Sequence, residues 1–173
     1  MSAVTGVTLA DLFTDLRTYL LAVLPAGYEV AQAQGNRVSF PVPPTAIMTP
    51  MGFKLITTNE NFYVSSTQKL DMKQSLRWRV QVDLYGNTAS TDASSLFQLQ
   101  RTLYATDLLA GTNIVPLFSS SPLQTTMLTP EMQYGERWTL ELNFQVNQHI
   151  IVDQQSALTL TIGLDEVSTS TGA

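Results

Sequence analysis

Arg77-Trp78-Arg79-Val80-Gln81-Val82-Asp83-Leu84-Tyr85 and Arg137-Trp138-Thr139-Leu140-Glu141-Leu142-Asn143-Phe144-Gln145 are the same strand written twice. Each opens on Arg-Trp and then alternates apolar with polar residues. Successive side chains of a strand point to opposite faces, so Trp78, Val80, Val82 and Leu84 share one face, as do Trp138, Leu140, Leu142 and Phe144. The opposite faces carry Arg77, Arg79, Gln81 and Asp83, and Arg137, Thr139, Glu141 and Asn143. Two such strands predict a sheet with one buried face. Neither polar face offers a catalytic combination, which points to a scaffold.

The order of charges predicts how the two strands pair. As antiparallel neighbours they bring Arg79 towards Glu141 and Asp83 towards Arg137, which are favourable cross-strand pairs. A parallel arrangement instead clusters the arginines into a basic rim suited to a polyanion or an acidic neighbour. Antiparallel pairing is the favoured reading. Arg77, Arg79, Asp83, Arg137 and Glu141 are therefore either cross-strand partners or a rim that meets another subunit, and they are the candidate interface residues.

Working outward, Thr8 and Asp11 mark a helix start, and Leu9, Leu12, Phe13, Leu16, Leu20, Val23 and Leu24 recur at helical spacing up to Pro25. The polar face of this helix is mixed, not cationic, so the apolar stripe reads as core packing. Val30 to Gln34 and Arg37 to Phe40, around Gly35-Asn36, predict a hairpin. From Thr45 to Gln74 the pattern weakens to short strands near Phe53–Thr57 and Phe62–Ser66, read as a projecting hairpin arm or an irregular connection. Tyr85-Gly86-Asn87 ends the first Arg-Trp strand. Ser90 or Thr91 then caps a second helix through Ala93, Leu96, Phe97, Leu99 and Leu103, closed by Gly111.

Ile114 to Phe118 reads as a buried strand that Pro116 confines to an edge or strand end, followed by a polar loop from Ser119 to Pro122. The second Arg-Trp strand continues through Val146, and Ile150 to Val152 either extends it or starts a turn. Leu158, Leu160, Ile162 and Leu164 predict a last half-buried strand. The sum is an α+β fold, mostly antiparallel twisted sheet with two main helices on one face. One domain is expected over residues 1–167, with 168–173 as a mobile tail.

Composition narrows the function. Charged residues make up only 13% of the 173 residues, about half of the ~25% usual for soluble domains. That depletion suits a surface given over to neighbouring subunits, or simply a threonine-rich, lysine-poor domain. The net charge of -5 argues against a protein that works by neutralising phosphates. With no cysteine, disulfides, thiolate metal sites and cysteine nucleophiles are excluded. The N-terminus lacks a basic leader and Leu20–Pro25 is too short to span a bilayer, so a soluble, unexported chain with no membrane partner is expected.

Chemistry is sparse. His149 is the single histidine, so no histidine relay or two-histidine metal site can form within one chain. No Gly-x-Ser-x-Gly, Gly-x-Gly-x-x-Gly or Gly-Lys-Ser/Thr motif occurs, which removes the common hydrolase elbow and phosphate cradles. Carboxylate-only magnesium binding is left to Asp11, Asp15, Asp165 and Glu166, which are scattered on a helix face and near the tail. The expectation is no enzyme, no cofactor and no metal.

The order of pieces is itself informative. An amphipathic first helix precedes a strand ending Asp83-Leu84-Tyr85-Gly86. A second helix follows, then Ile114-Val115-Pro116-Leu117-Phe118, and then Tyr134 to Asn147 around the second Arg-Trp strand. From Thr8 to Val152 this order resembles the neck or tail-terminator proteins of tailed bacteriophages. The resemblance implies a ring-forming subunit, commonly of a hexamer, that caps the tail tube, stops its polymerisation and joins it to the head connector. It implies a virion protein assembled in the host cytoplasm, partnered by itself, by tail tube protein and by connector or neck proteins. DNA would pass through the ring without specific binding, and an acidic wall fits such a passage because it would not hold phosphates. Thr45–Gln74 and Ser119–Gly135 are the candidate contacts to rings above and below. Alternative readings are a tail tube or head-completion subunit, or a non-viral module that binds a peptide or glycan through a sheet edge and Phe62-Tyr63.

Overall fold

The computed structural model describes residues 4–33, 42–125, 127–128 and 134–154. In chain order the elements are β1 (Val4–Thr5), α1 (Leu9–Val23), β2 (Glu29–Gln32), β3 (Thr45–Leu55), β4 (Glu60–Val64) and β5 (Lys69–Tyr85). They continue with α2 (Ala89–Leu99), α3 (Leu103–Leu108), β6 (Ile114–Ser119), β7 (Leu123–Gln124), β8 (Met127–Leu128), β9 (Tyr134–Gly135) and β10 (Arg137–Asp153). The fold is α+β. Eight strands form the main sheet in the order β1-β10-β5-β3-β2, with β4 beside β5 and β6 and β7 beside β10. Every pairing is antiparallel except β2 with β3.

The two Arg-Trp segments are the central pair, and each is longer than its nine-residue repeat. β5 and β10 run for 17 residues each, about 56 Å at a rise of about 3.3 Å per residue. They pair antiparallel in one unbroken register from Arg137↔Tyr85 to Asp153↔Lys69. Ile150–Val152 thus extends the second Arg-Trp strand. The apolar alternation continues along β5 through Leu76, Met72 and Leu70 and along β10 through Val146, Ile150 and Val152. It is broken once in each strand, by Gln74 and Gln148, and these two glutamines sit directly opposite each other.

All three helices contribute to a core on the Trp78 face. Trp78, Val80, Val82, Leu84, Leu140, Leu142 and Phe144 are buried there with Leu12, Leu16 and Leu20 of α1, Leu96 of α2 and Ala105 of α3. Phe13 meets Trp78 edge-on at 5.4 Å, and Tyr19 meets Phe144 edge-on at 6.3 Å. Thr8 caps α1 as predicted: its hydroxyl accepts from the Asp11 backbone N–H, and the Asp11 carboxylate accepts from the Thr8 backbone N–H. Trp138 is only partly buried, and its Nε1–H donates to Glu136 Oε1 at 3.0 Å.

Several expectations need correcting. The second helix begins at Ala89, before the predicted Ser90 or Thr91 cap, and its stripe is two helices instead of one. The break falls at Gln100–Thr102, where the Thr102 hydroxyl donates to Leu99 O and accepts from Ala105 N, starting α3 afresh. Thr45 to Leu55 is not an irregular stretch but an 11-residue strand against β5. Pro50 and Gly52 disguise it; the register shifts between them, and glycine fits the φ of 115° at Gly52. Ile114–Phe118 is an edge strand, as Pro116 requires, but Val115 and Phe118 are exposed, so it is buried on one face only. Of the predicted Gly35-Asn36 hairpin, β2 is present and pairs parallel with β3. Its return strand, the Leu158–Leu164 strand and the 168–173 tail lie outside the described residues.

Candidate functional site

The structure places all five candidate residues on the sheet face opposite the helices. Four of them are bound to one another. Arg79 grips Glu141 with two parallel hydrogen bonds, Nε to Oε1 at 3.0 Å and Nη2 to Oε2 at 2.8 Å. Arg137 Nη2 donates to Asp83 Oδ2 at 3.0 Å. Both pairs are diagonal, since the register sets Asn143 opposite Arg79 and Thr139 opposite Asp83. Asp83 is only 3% exposed despite lying on the open face. It also accepts from Thr139 Oγ1 at 2.5 Å and from Gln81 Nε2 at 3.0 and 3.1 Å, so its charge is held by neighbours and not by water.

Arg77 differs from the other four. Its guanidinium lies 5.7 Å from the centroid of the Phe118 ring, and its Nε has no hydrogen-bond partner among the described residues. The polar ladder continues past it, with Gln145 Nε2 and Ser75 Oγ both donating to Asn147 Oδ1 at 2.9 and 2.8 Å.

Electrostatics follow the geometry. Hydrogen bonds from Arg79 hold the Glu141 carboxyl below its usual range, against partial burial that pushes it up. Arg79 is correspondingly raised, first by its hydrogen bond to Glu141 and then by that charge. Burial works against the charge on Arg137, but the hydrogen bond and charge of Asp83 outweigh it, and the guanidinium is held more firmly protonated. A carboxyl depressed in the folded state contributes stability above its ordinary pKa of 4.5 and loses it as pH falls through the folded value. Glu141→Gln should therefore flatten part of the acid-side fall in stability below about pH 4.5, by about 0.5–1 kcal/mol, because the pair is solvent-screened. Urea titrations between pH 3 and 7 check this, and an unchanged acid slope would refute it.

The second feature is an arm. Beyond the two facing glutamines the helical cover stops, yet the sheet continues as β4, the first half of β5 and the last half of β10. Residues 53–69 are all exposed. On the helix side of this arm Phe53, Leu55 and Tyr63 stand 50%, 58% and 43% exposed. On its other side Lys73 Nζ lies 5.3 Å over the Phe62 ring. A shallow polar concavity of about 690 Å³ at the arm's base is lined by Thr57, Thr58, Asn59, Glu60, Lys73, Gln74, Ser75, Gln145 and Asn147. It holds one acid and one base and no nucleophile with an activating partner.

His149 Nδ1 stands 3.8 Å from one oxygen of Asp71, whose other oxygen lies 3.9 Å from Lys73 Nζ. Among the described residues no group of three His, Cys, Asp or Glu side chains could hold a metal ion, and no helix is long and apolar enough to cross a membrane. What the arrangement offers chemically is surface: a stiff polar ladder on one face and exposed aromatic and aliphatic side chains on an arm. The arm's apolar side was hard to foresee in the sequence, although the alternation of Leu70, Met72 and Leu76 carried the signal.

The family model for phage neck terminator proteins matches residues 10–168. Among solved structures, the chain is similar to the sheath/tube terminator of the PVC extracellular contractile injection system in its extended state. The TM-score is 0.51 at 11% sequence identity, over 96% of this chain and 66% of that one. The likeness is one of fold, and the chain spans just under two thirds of that protein's length. No curated protein matches the chain.

Proposed function

Since the chain belongs to the phage neck terminator protein family and has the structural role of a tail terminator, we propose that it acts as a ring, of six copies, at the end of the tail tube. There it stops tube growth and joins the tube to the head connector. The observation that carries this reading is the exposed apolar arm on a sheet whose strands β4 and β2 each have one neighbour among the described residues. A head-to-tail contact that closes by rotation would cover such edges, which otherwise invite aggregation. The work is mechanical and needs no catalytic residue.

Arg77, Arg79, Asp83, Arg137 and Glu141 serve the ring from the open face. The two ion pairs stiffen the central strands, and Arg77 is the member proposed to bond to an axial neighbour. The net charge of -5 supports a lumen through which DNA moves without being held. Assembly takes place in the host cytoplasm, and the protein stays in the virion neck.

The reading is tested by polymerising purified tail tube protein with and without the chain. With it, tubes should stop at a uniform length and carry the chain at one end; without it, they should grow on with a broad length distribution. Tubes of equal, broad length in both samples would refute the role.

A further inference from the structure

Charge on the open face of the sheet, opposite the helices, is close to balanced, and it fails to balance at one place. Along β4, β5 and β10 every acid on this face has a base. Asp83 and Glu141 are bonded to Arg137 and Arg79, Asp71 lies 3.9 Å from Lys73, and the register sets Glu60 opposite Lys73 and Asp153 opposite Lys69. Glu29 of β2 stands level with Tyr85, at the far end of the sheet. Two bases are left over, Lys54 of β3 and Arg77 of β5, and they face each other directly across the strand pair. Among the described residues neither forms an ion pair.

Such a pair lowers the stability of the isolated chain, because like charges directly opposite on neighbouring strands repel. Arg77 also keeps its Nε buried without a hydrogen-bond partner among the described residues, so the hydration lost there is not offset. Glu141, the next acid along β10, is already engaged: its oxygens accept from Arg79 and Asn143. Two unmatched cations held side by side call for an anion from a partner.

The surroundings choose the kind of anion. Arg77 lies 5.7 Å from the centroid of the Phe118 ring. Phe118 and Val115 share the open face, set by the register against Asn143 and Gln145, and stand 37% and 43% exposed. A phosphate track needs a run of free bases, whereas Asp83 and Glu141 interrupt this face and occupy Arg137 and Arg79. An arginine beside exposed aromatic and aliphatic side chains is instead the make-up of a protein interface.

We infer that Lys54 and Arg77 receive a carboxylate from an acidic protein surface, with Phe118 and Val115 taking an apolar side chain beside it. The terminal nitrogens of Arg77 suit the two oxygens of a carboxylate, and Lys54 adds a compact charge on a flexible stem. The inference rests on the tube-end reading above and names the partner as the tail tube protein, since a cap that stops growth has to hold the tube by itself.

Binding of the full-length chain to preformed tubes of purified tail tube protein is measured by sedimentation at low and high salt. Lys54→Gln and Arg77→Gln should each weaken binding about tenfold and reduce its loss at high salt, since each removes an attraction that salt screens. Lys69→Gln removes the same charge from the same face at the tip of the arm and should bind like the unaltered chain. The Tm of isolated Lys54→Gln should equal or exceed that of the unaltered chain, because a repulsion has gone.

Undiminished binding by Lys54→Gln and Arg77→Gln, with the unaltered chain still limiting tube length, would overturn the site and leave the cap standing. Equal losses in all three variants would reduce the effect to net charge, and a lower Tm for Lys54→Gln would give the pair an anion within its own chain; either overturns the inference. Loss of binding to a short DNA duplex, or of self-association measured by mass, with tube binding intact, would assign the site to that partner and overturn it too. An unaltered chain that neither binds tubes nor limits their length would overturn the tube-end reading as well.

Discussion

Trp78→Ala should lower the stability of the isolated chain by about 3–5 kcal/mol, the range for truncating a large aromatic in a packed core. Trp78 is fully buried, and its ring is the meeting point of three elements. Phe13 of α1 contacts it edge-on at 5.4 Å, Phe144 of β10 lies at 6.1 Å, and Phe53 at the base of the arm stacks on it at 6.5 Å. Removing the indole opens a cavity between helix and sheet and removes the support under Phe53. For a chain of this size the loss corresponds to a fall in Tm of about 10 °C or more. Calorimetry at dilution reads it directly, and a fall below about 1 kcal/mol would show that α1 does not depend on this contact. Trp138→Ala should cost less, since that ring is only partly buried.

Asp83→Ala is expected to cost about 2–3 kcal/mol, the second largest effect of a single change. The carboxylate accepts from Arg137, Thr139 and Gln81, so its loss strands three donors at once. Breaking a fully buried pair costs about 3–5 kcal/mol, and the smaller figure reflects the 29% exposure of the Arg137 side chain, which lets water replace part of the partner. Combining Asp83→Ala with Arg137→Ala should give strong coupling, with the double variant much less destabilised than the sum of the singles. The effect should appear in the monomer, because these residues hold each other within one chain. Additive single and double variants in urea melts would contradict that.

Both residues were legible in the sequence because their information is local. Strict period-2 alternation identified the buried faces, and the order of charges along the two Arg-Trp segments was enough to predict Arg79–Glu141 and Asp83–Arg137 once antiparallel pairing was assumed. What stayed hidden was set by partners far away in the chain. Gln74 and Gln148 interrupt the alternation, so each long strand looked half its length, and only the register shows that they face each other where the helical cover ends. Pro50 and Gly52 concealed β3 because proline is tolerated there only at a bulge on an edge that β2 no longer covers. The split of the second helix at Thr102 was invisible because Leu99 and Leu103 keep helical spacing across the break.

The candidate surface was legible only in part. Alternation placed the five polar residues on one face, and the structure shows four of them committed to each other, a distinction that side-chain geometry makes and spacing does not. The exposed apolar side of α3 gave no signal of its own, since Leu103 read as one more turn of a buried stripe, whereas it stands 75% exposed after the break.

Electron micrographs of assembled tails, viewed end-on and in profile with this chain labelled, test the central claim most directly. The account predicts a closed ring of six copies at one end of each tube, one layer deep. Tubes whose labelled chains are scattered along their length, or whose ends are bare while the chain remains monomeric in solution, would contradict it.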